Sequence, residues 1–277
     1  MSGFRKISTK IIDPRLPEAV GGFLLSRLRP DHPVIFGIAG SQGSGKSTLA
    51  AHLAKTYGGV SLSLDDAYLM REERVELARK VHPLFHTRGV PGTHDLELLG
   101  RVLDALLDAS ENSETPLPAF DKLADERLPI DQWPVFKGRP RFVILEGWCL
   151  GVLPEPEARL ADPVNTLEAE ADVLLHWREA VNQALSTAYA ALHQRLEALV
   201  YLRAPDFDTV LDWRCEQEAG LLGVEYIPAG RRGALARFVA HFQRLTLWMM
   251  QGGIRADMTV DLDTRRRVVA IAMNHTT

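Results

Sequence analysis

A chain of 277 residues, 46% hydrophobic and 25% charged, has the composition of a globular protein able to bury a sizeable core, which sets aside disordered, collagen-like and membrane-spanning classes. The formal net charge of -4 at pH 7 gives no general attraction to nucleic acid or an anionic membrane, so any anion binding must be local and a small-molecule partner is favoured. Cys149 and Cys215 have neither zinc spacing nor a disulfide framework and read as reduced thiols, while MSGFRKISTK lacks the apolar core of a secretory signal, so the expected location is cytoplasmic.

In chain order, apolar positions from Ile11 to Leu28, with Pro14 and Pro17 early and Pro30 and Pro33 late, predict a helix from about Pro17 within an N-terminal helical extension, 1–33. VIFGIAGSQGSGKST, residues 34–48, is an apolar strand-like run, a glycine-rich turn and the start of a helix. Gly40, Gly45, Lys46 and Ser47 meet every fixed position of G-x-x-x-x-G-K-[ST]. The whole turn, Gly40, Ser41, Gln42, Gly43, Ser44, Gly45, Lys46, Ser47 and Thr48, reads as a phosphate-binding loop. Its glycines let backbone N–H groups close on phosphate oxygens, and the helix that follows adds its positive end. Lys46 can reach the β- and γ-phosphates, and the Ser47 hydroxyl can ligate Mg²⁺.

VSLSL at 60–64 predicts a short buried strand that stops at Asp65. Ligands of doubly wound sheets sit beyond the carboxyl ends of the strands, so Asp65 and Asp66 are expected beside the loop. A helix is predicted over 71–80, then an irregular HPLFHTRGVPGTHD, then a helix over 95–108 for which Asp95 is a natural cap. Residues 109–140 read as irregular, RFVILEG as a strand ending at Glu146, and 153–196 as one or two helices. EALVYLR, MTVDL and VVAIAM predict further strands; 207–222 and 234–251 predict helices, with Pro228 to Gly233 as a turn. No internal repeat or linker divides the chain, so a single domain over 1–277 is expected.

The motifs GSQGSGKST, SLDDAYL, RGVPGTHDLELL, PAFDKLADERLP, VILEGWCLG and WRCEQE occur in this order. Together, from about Val34 to Trp248, they resemble the D-glycerate 3-kinase type within the phosphoribulokinase, uridine kinase and pantothenate kinase group of P-loop kinases. The fold this implies is α/β: a P-loop NTPase three-layer α/β/α domain with a mostly parallel central sheet and a helical lid, about 206–235. The function it implies is ATP-dependent, Mg²⁺-assisted phosphoryl transfer to an alcohol, with D-glycerate, a small hydroxy acid, as acceptor.

Phosphoryl transfer needs the phosphates held, their charge neutralised and the acceptor hydroxyl aligned while its proton leaves. Asp65 matches the family's base, with Asp66 as an alternative base or a ligand of metal-bound water. Glu146 ends its strand as a Walker-B-like acid suited to Mg²⁺. Arg88, His94, Lys122 and Arg127 are the candidates for the acceptor's carboxylate, and Tyr68 and Asp95 for its hydroxyls. Arg214, in the DWRCEQEAG helix of the lid, is the candidate to approach the phosphates. Arg231 with Arg232, and Arg265 to Arg267, read as solvated basic faces, and FVAHFQRLTLWMM as core. A uridine or pantothenate kinase-like acceptor is the alternative within the class. A nucleotide-hydrolysing switch or assembly factor is the alternative outside it, although the chain carries no N-K-x-D motif and no LSGGQ-like run.

Overall fold

In the computed structural model, which describes residues 12–274, the apolar run before the glycine-rich turn is β1 (Ile35–Gly40), buried along its whole length. The remaining residues, including MSGFRKISTK and Ile11, lie outside the described residues. An unbroken apolar run suits a strand covered on both faces. β1 is paired in parallel with β7 (Val143–Gly147) on one side and β8 (Leu196–Arg203) on the other. The sheet continues outward to β2 (Val60–Ser63) beyond β7, and to β9 (Met258–Leu262) and β10 (Val268–Met273) beyond β8. Only β10, at the edge, runs antiparallel.

Side chains alternate along these strands and so feed two cores. Leu199 and Tyr201 face one core, which takes in α4 (Leu96–Leu107), α7 (His176–Ala184) and part of α10 (Ala229–Met250). Ala198, Val200 and Leu202 face the other, against α1 (Arg15–Leu25), α2 (Lys46–Tyr57) and α9 (Phe207–Leu222). This is the expected three-layer α/β/α arrangement around a mostly parallel sheet. Phe242, Leu245 and Met249 of the FVAHFQRLTLWMM stretch are core residues, as expected.

Between β2 and β7 the chain forms α3 (Arg71–Lys80) and then α4, whose cap is Asp95: its Oδ1 accepts from the Leu98 N–H at 2.9 Å. Residues 109–140 are not irregular throughout. They hold two small antiparallel pairs, β3 (Glu114–Pro116) with β6 (Val135–Lys137) and β4 (Phe120–Asp121) with β5 (Glu126–Arg127). Strands of two or three residues are too short to show an alternation in sequence. The region read as one or two helices is instead α5 (Glu157–Leu160), α6 (Thr166–Ala171), α7, a π-helical turn at Leu185–Tyr189 and α8 (Ala190–His193). Polar caps break it: Asn165 accepts from Glu168 N–H, and Asp172 from Trp177 N–H, while Leu175 takes a φ of 68°.

Pro228 to Gly233 is not a turn but the beginning of α10, because the Pro228 carbonyl accepts from the N–H groups of Arg231 and Arg232. Proline is well suited to a helix start, and its presence there misleads a reading that treats it only as a breaker. The same allowance explains α1, which starts ahead of Pro17. In the stretch expected to be a lid, Val210 and Trp213 are buried in the core, whereas Leu222, Val224 and Tyr226 are exposed. Among the described residues no helix is long and apolar enough to cross a membrane, and both cysteines are free and buried.

Candidate active site

The glycine-rich turn joins the carboxyl end of β1 to α2. Gly43 and Gly45 have φ values of 75° and 96°, a region where other residues are strained. Ser44 N–H donates to the Ser41 carbonyl at 3.2 Å, closing the turn. Ser41 Oγ, Gln42 Oε1 and Ser44 Oγ are buried there without hydrogen-bond partners. Such groups are costly to leave unpaired, and the two serine hydroxyls, which can donate, fit an anion received there; the Gln42 amide oxygen only accepts and adds nothing to that fit. Lys46 is buried and Ser47 and Thr48 are exposed on the first turn of α2.

Glu146, near the end of β7, lies beside that turn. Its Oε1 accepts from Ser47 Oγ at 2.7 Å and its Oε2 is 3.6 Å from Lys46 Nζ. Oε2 is otherwise unpartnered, and the residue is buried. A buried carboxylate and a hydroxyl side by side are oxygen donors of the kind Mg²⁺ takes together with phosphate oxygens and water. The residues present therefore fit both a nucleotide triphosphate and its magnesium ion.

Asp65 is brought to the same place by sheet register. Ser63 of β2 pairs with Glu146 of β7, and the chain then turns through a 3-10 segment, Leu64–Ala67. Asp65 Oδ2 accepts from Lys122 Nζ and Oδ1 from the Tyr68 hydroxyl, both at 2.9 Å. Burial opposes its charge, but the charges of Lys122 and Lys46 and the hydrogen bond from Lys122 outweigh burial and hold the carboxyl well below the usual carboxylate range. Asp66 moves the opposite way, pushed up to about 6 by burial, against the pull of Lys122 and with the added repulsion of Asp65 and Glu146. Two adjacent carboxylates thus carry different proton affinities: in the absence of substrate Asp65 is held charged by Lys122, and it becomes a better proton acceptor only if that contact loosens.

The other substrate candidates also converge. The Tyr68 ring stacks on His94 at 4.6 Å between centroids and meets Phe120 edge-on at 5.3 Å. Burial, reinforced by Asp65, keeps the Tyr68 phenol protonated. Burial also pulls His94 down to about 4, so it is neutral at pH 7; its Nδ1 meets the Tyr189 hydroxyl at 2.5 Å and its Nε2 has no partner. Arg88 pairs with Asp125 and donates to the Lys122 carbonyl at 3.1 Å, with its guanidinium 5.3 Å from the Phe120 ring centroid. Arg127 pairs with Asp95 at 2.8 Å, so Asp95 serves as both cap and ion-pair partner.

Arg214 is directed elsewhere. On α9 it pairs with Glu218 at 2.9 Å and lies 5.9 Å from the Phe238 ring centroid, leaving Nη1 unpartnered. Its neighbour Trp213 packs against the loop instead: a Cβ added to Gly43 would lie 2.6 Å from Trp213 Cβ. The reading of Arg265 to Arg267 as a solvated face fails at Arg266, whose Nε donates to the Gly43 carbonyl at 2.6 Å.

Sequence reasoning missed Tyr189, Asp125, Arg74 and Arg266. Arg74 is fully buried and donates to the carbonyls of Leu69, His86 and Asp125 and to the Asp125 carboxylate. It thereby fixes the loop that carries Arg88. Asp125 lies within PAFDKLADERLP but was not singled out, the other three sit in none of the quoted motifs, and the unusual backbone of Asp125 and Arg266 is visible only in the structure.

No protein-family model matches the chain. It is 37% identical over 215 residues to the Schizosaccharomyces pombe protein named uncharacterized kinase mug58, a match covering 72% of this chain and 75% of that protein. It is 36% identical over 139 residues to the Saccharomyces cerevisiae probable ATP-dependent kinase TDA10, covering 44% and 47%. Among solved structures it superposes on a D-glycerate 3-kinase from Cryptococcus neoformans with a TM-score of 0.74 and 24% identity, over 94% of this chain and 99% of that one. The 37% identity over three quarters of the Schizosaccharomyces pombe protein shows that the chain belongs to the same kinase family, and the phosphate loop and sheet order, with the superposition, show that its fold is that of the P-loop kinases.

Proposed function

We propose that this ATP-dependent kinase phosphorylates the hydroxyl of a small hydroxy acid, D-glycerate, giving 3-phosphoglycerate. The observation that carries the reading is the Lys122–Asp65 contact at 2.9 Å, which sets an ammonium group for an acceptor carboxylate against the carboxylate suited to the acceptor hydroxyl. Lys46 and the N–H groups of Gly40 to Thr48 hold the ATP phosphates. Ser47 and Glu146 would hold Mg²⁺, with Asp66 beside them as a candidate ligand of its water, and the ion would neutralise phosphate charge. Asp65 aligns the acceptor hydroxyl and takes its proton as the new O–P bond forms, while the bond to the ADP oxygen breaks and its electron pair stays with ADP.

Lys122, Arg88 and Arg127 bind the acceptor carboxylate, and each already has a carboxylate partner, Asp65, Asp125 and Asp95 respectively. An acidic acceptor therefore exchanges for internal ion pairs. Drawing Lys122 toward the substrate weakens its hold on Asp65 and makes Asp65 a better base at the moment it is needed. Tyr68 and Asp95 hydrogen-bond the one remaining hydroxyl, neutral His94 offers Nε2, and Arg214 turns to the phosphates when the exposed part of the lid closes.

The test is coupled ADP release with glycerate, uridine, pantothenate, ribulose 5-phosphate or no acceptor. A rate that depends on D-glycerate supports the reading. A rate that depends on uridine or pantothenate moves the acceptor assignment, and equal ATP loss without any acceptor overturns the kinase reading in favour of a hydrolytic switch.

A further inference from the structure

Arg266 lies in the turn between β9 and β10 and has no part in the chemistry above, yet it reaches the phosphate loop. Its Nε donates to the Gly43 carbonyl at 2.6 Å, its guanidinium is 4.8 Å from the Trp213 ring centroid, and Nη2 pairs with Glu216 of α9 at 2.7 Å. Among the described residues, Arg267, next to it, pairs with Asp263 inside the turn.

The backbone makes this contact notable. Arg266 has a φ of 62°, a left-handed conformation that glycine takes without steric cost in a hairpin turn. An arginine held there has a side-chain contact that outweighs the strain. The turn does not depend on that side chain. The Asp263 carboxylate accepts from Arg265 and Arg267 N–H, and its carbonyl accepts from Arg266 N–H.

The effect at the loop follows from peptide geometry. The Gly43 carbonyl and the Ser44 N–H belong to one planar unit; Arg266 holds the first and the Ser41 carbonyl, at 3.2 Å, holds the second. Trp213 blocks the other side of Gly43, and its own Nε1 donates to the Thr264 carbonyl at 2.8 Å. A fixed Gly43–Ser44 peptide would hold in place the N–H groups of Gly45, Lys46 and Ser47 that follow it.

We infer that Arg266 is a positioning residue of the donor site, locking the Gly43–Ser44 peptide so that the loop is preformed for a nucleotide's phosphates, and tying α9 to that loop through Glu216. The inference rests on the nucleotide-binding reading of the loop. Arg266→Gly tests it, because this variant deletes the guanidinium while giving the turn the residue its backbone prefers. Binding of Mg·ADP is measured by calorimetric titration without acceptor, alongside thermal unfolding.

The expected result is an unfolding temperature equal to or above that of the wild type, with Mg·ADP bound about tenfold or more weakly. Arg266→Lys, which keeps a donor for the Gly43 carbonyl but loses the planar stack on Trp213, falls between them. Equal binding by wild type and Arg266→Gly overturns the inference and leaves the kinase reading standing. Weaker binding accompanied by a lower unfolding temperature assigns Arg266 to the fold alone and also overturns it. A wild type that does not bind Mg·ADP overturns both.

Discussion

Asp65 and Lys122 carry opposite obligations in one contact. The ion pair keeps Asp65 charged in the absence of substrate, but a carboxylate held low is a weak proton acceptor. Asp65→Asn therefore keeps the hydrogen-bonding shape and loses the charge; nucleotide binding is expected to survive while kcat falls roughly 10²- to 10⁴-fold. An unchanged steady-state rate would move the base elsewhere. Glu146 has its second oxygen without a hydrogen bond among the described residues, so Glu146→Gln should raise the Mg²⁺ concentration for half-maximal activity by about 10 to 100 fold. A Mg²⁺ titration in which the two proteins superimpose would exclude the metal role. That Lys46, Ser47, Asp65 and Glu146 come together was legible in the sequence because each sits at a fixed offset from a strand end. Tyr189 and Arg74 were not, because their chemistry consists of reaching groups distant in sequence, the Gly92 N–H and His94 for one and the Asp125 carboxylate for the other.

Uninterrupted helices were legible, and short ones broken by polar caps were not. α3 and α9 occupy the predicted spans, whereas the segment from α5 to α8 is broken by side chains that a helix-propensity reading counts as neutral. Those side chains form a buried network. Arg244 of α10 binds Glu168 at 2.7 Å and Glu155 at 3.4 Å, and Arg178 of α7 binds Asp172 at 2.9 Å and Glu168 at 3.8 Å. Its role is to seat α10 on α6 and α7. Removing one partner strands the others in a dry interior, so Arg244→Met is expected to lower unfolding free energy by about 3 to 5 kcal/mol. Adding Glu168→Gln should recover part of that loss. Chemical denaturation of both variants checks this, and a loss below about 1 kcal/mol for Arg244→Met would mean that the network holds nothing in place.

For the molecule as a whole, stability should depend on buried histidines. Burial pulls His94 and His193 down to about 4 from the ordinary 6.5. Between those values the unfolded chain binds more protons than the folded one, so stability rises with pH and is lost as pH falls from 6.5 toward 4. Each can contribute on the order of 1 to 3 kcal/mol. Asp66, pushed up to about 6, acts in the opposite sense but is a single group. His193→Gln, which keeps an acceptor for the Gly151 N–H, should flatten the profile, and thermal unfolding across pH 4 to 7 would show whether it does. The sheet order has a consequence for the birth of the chain. β1, the strand that carries the phosphate loop, completes its pairing only with Val143 and Leu196. At ribosomal speeds of about 5 to 20 residues per second, the second of these emerges roughly 8 to 30 s after β1 itself. Until then a strand that is buried along its whole length in the folded protein has open edges, and nucleotide has no finished cradle that could stabilise it. The nascent enzyme therefore depends on whatever shields β1 during synthesis, and its cofactor can act as a folding ligand only after the central sheet has closed.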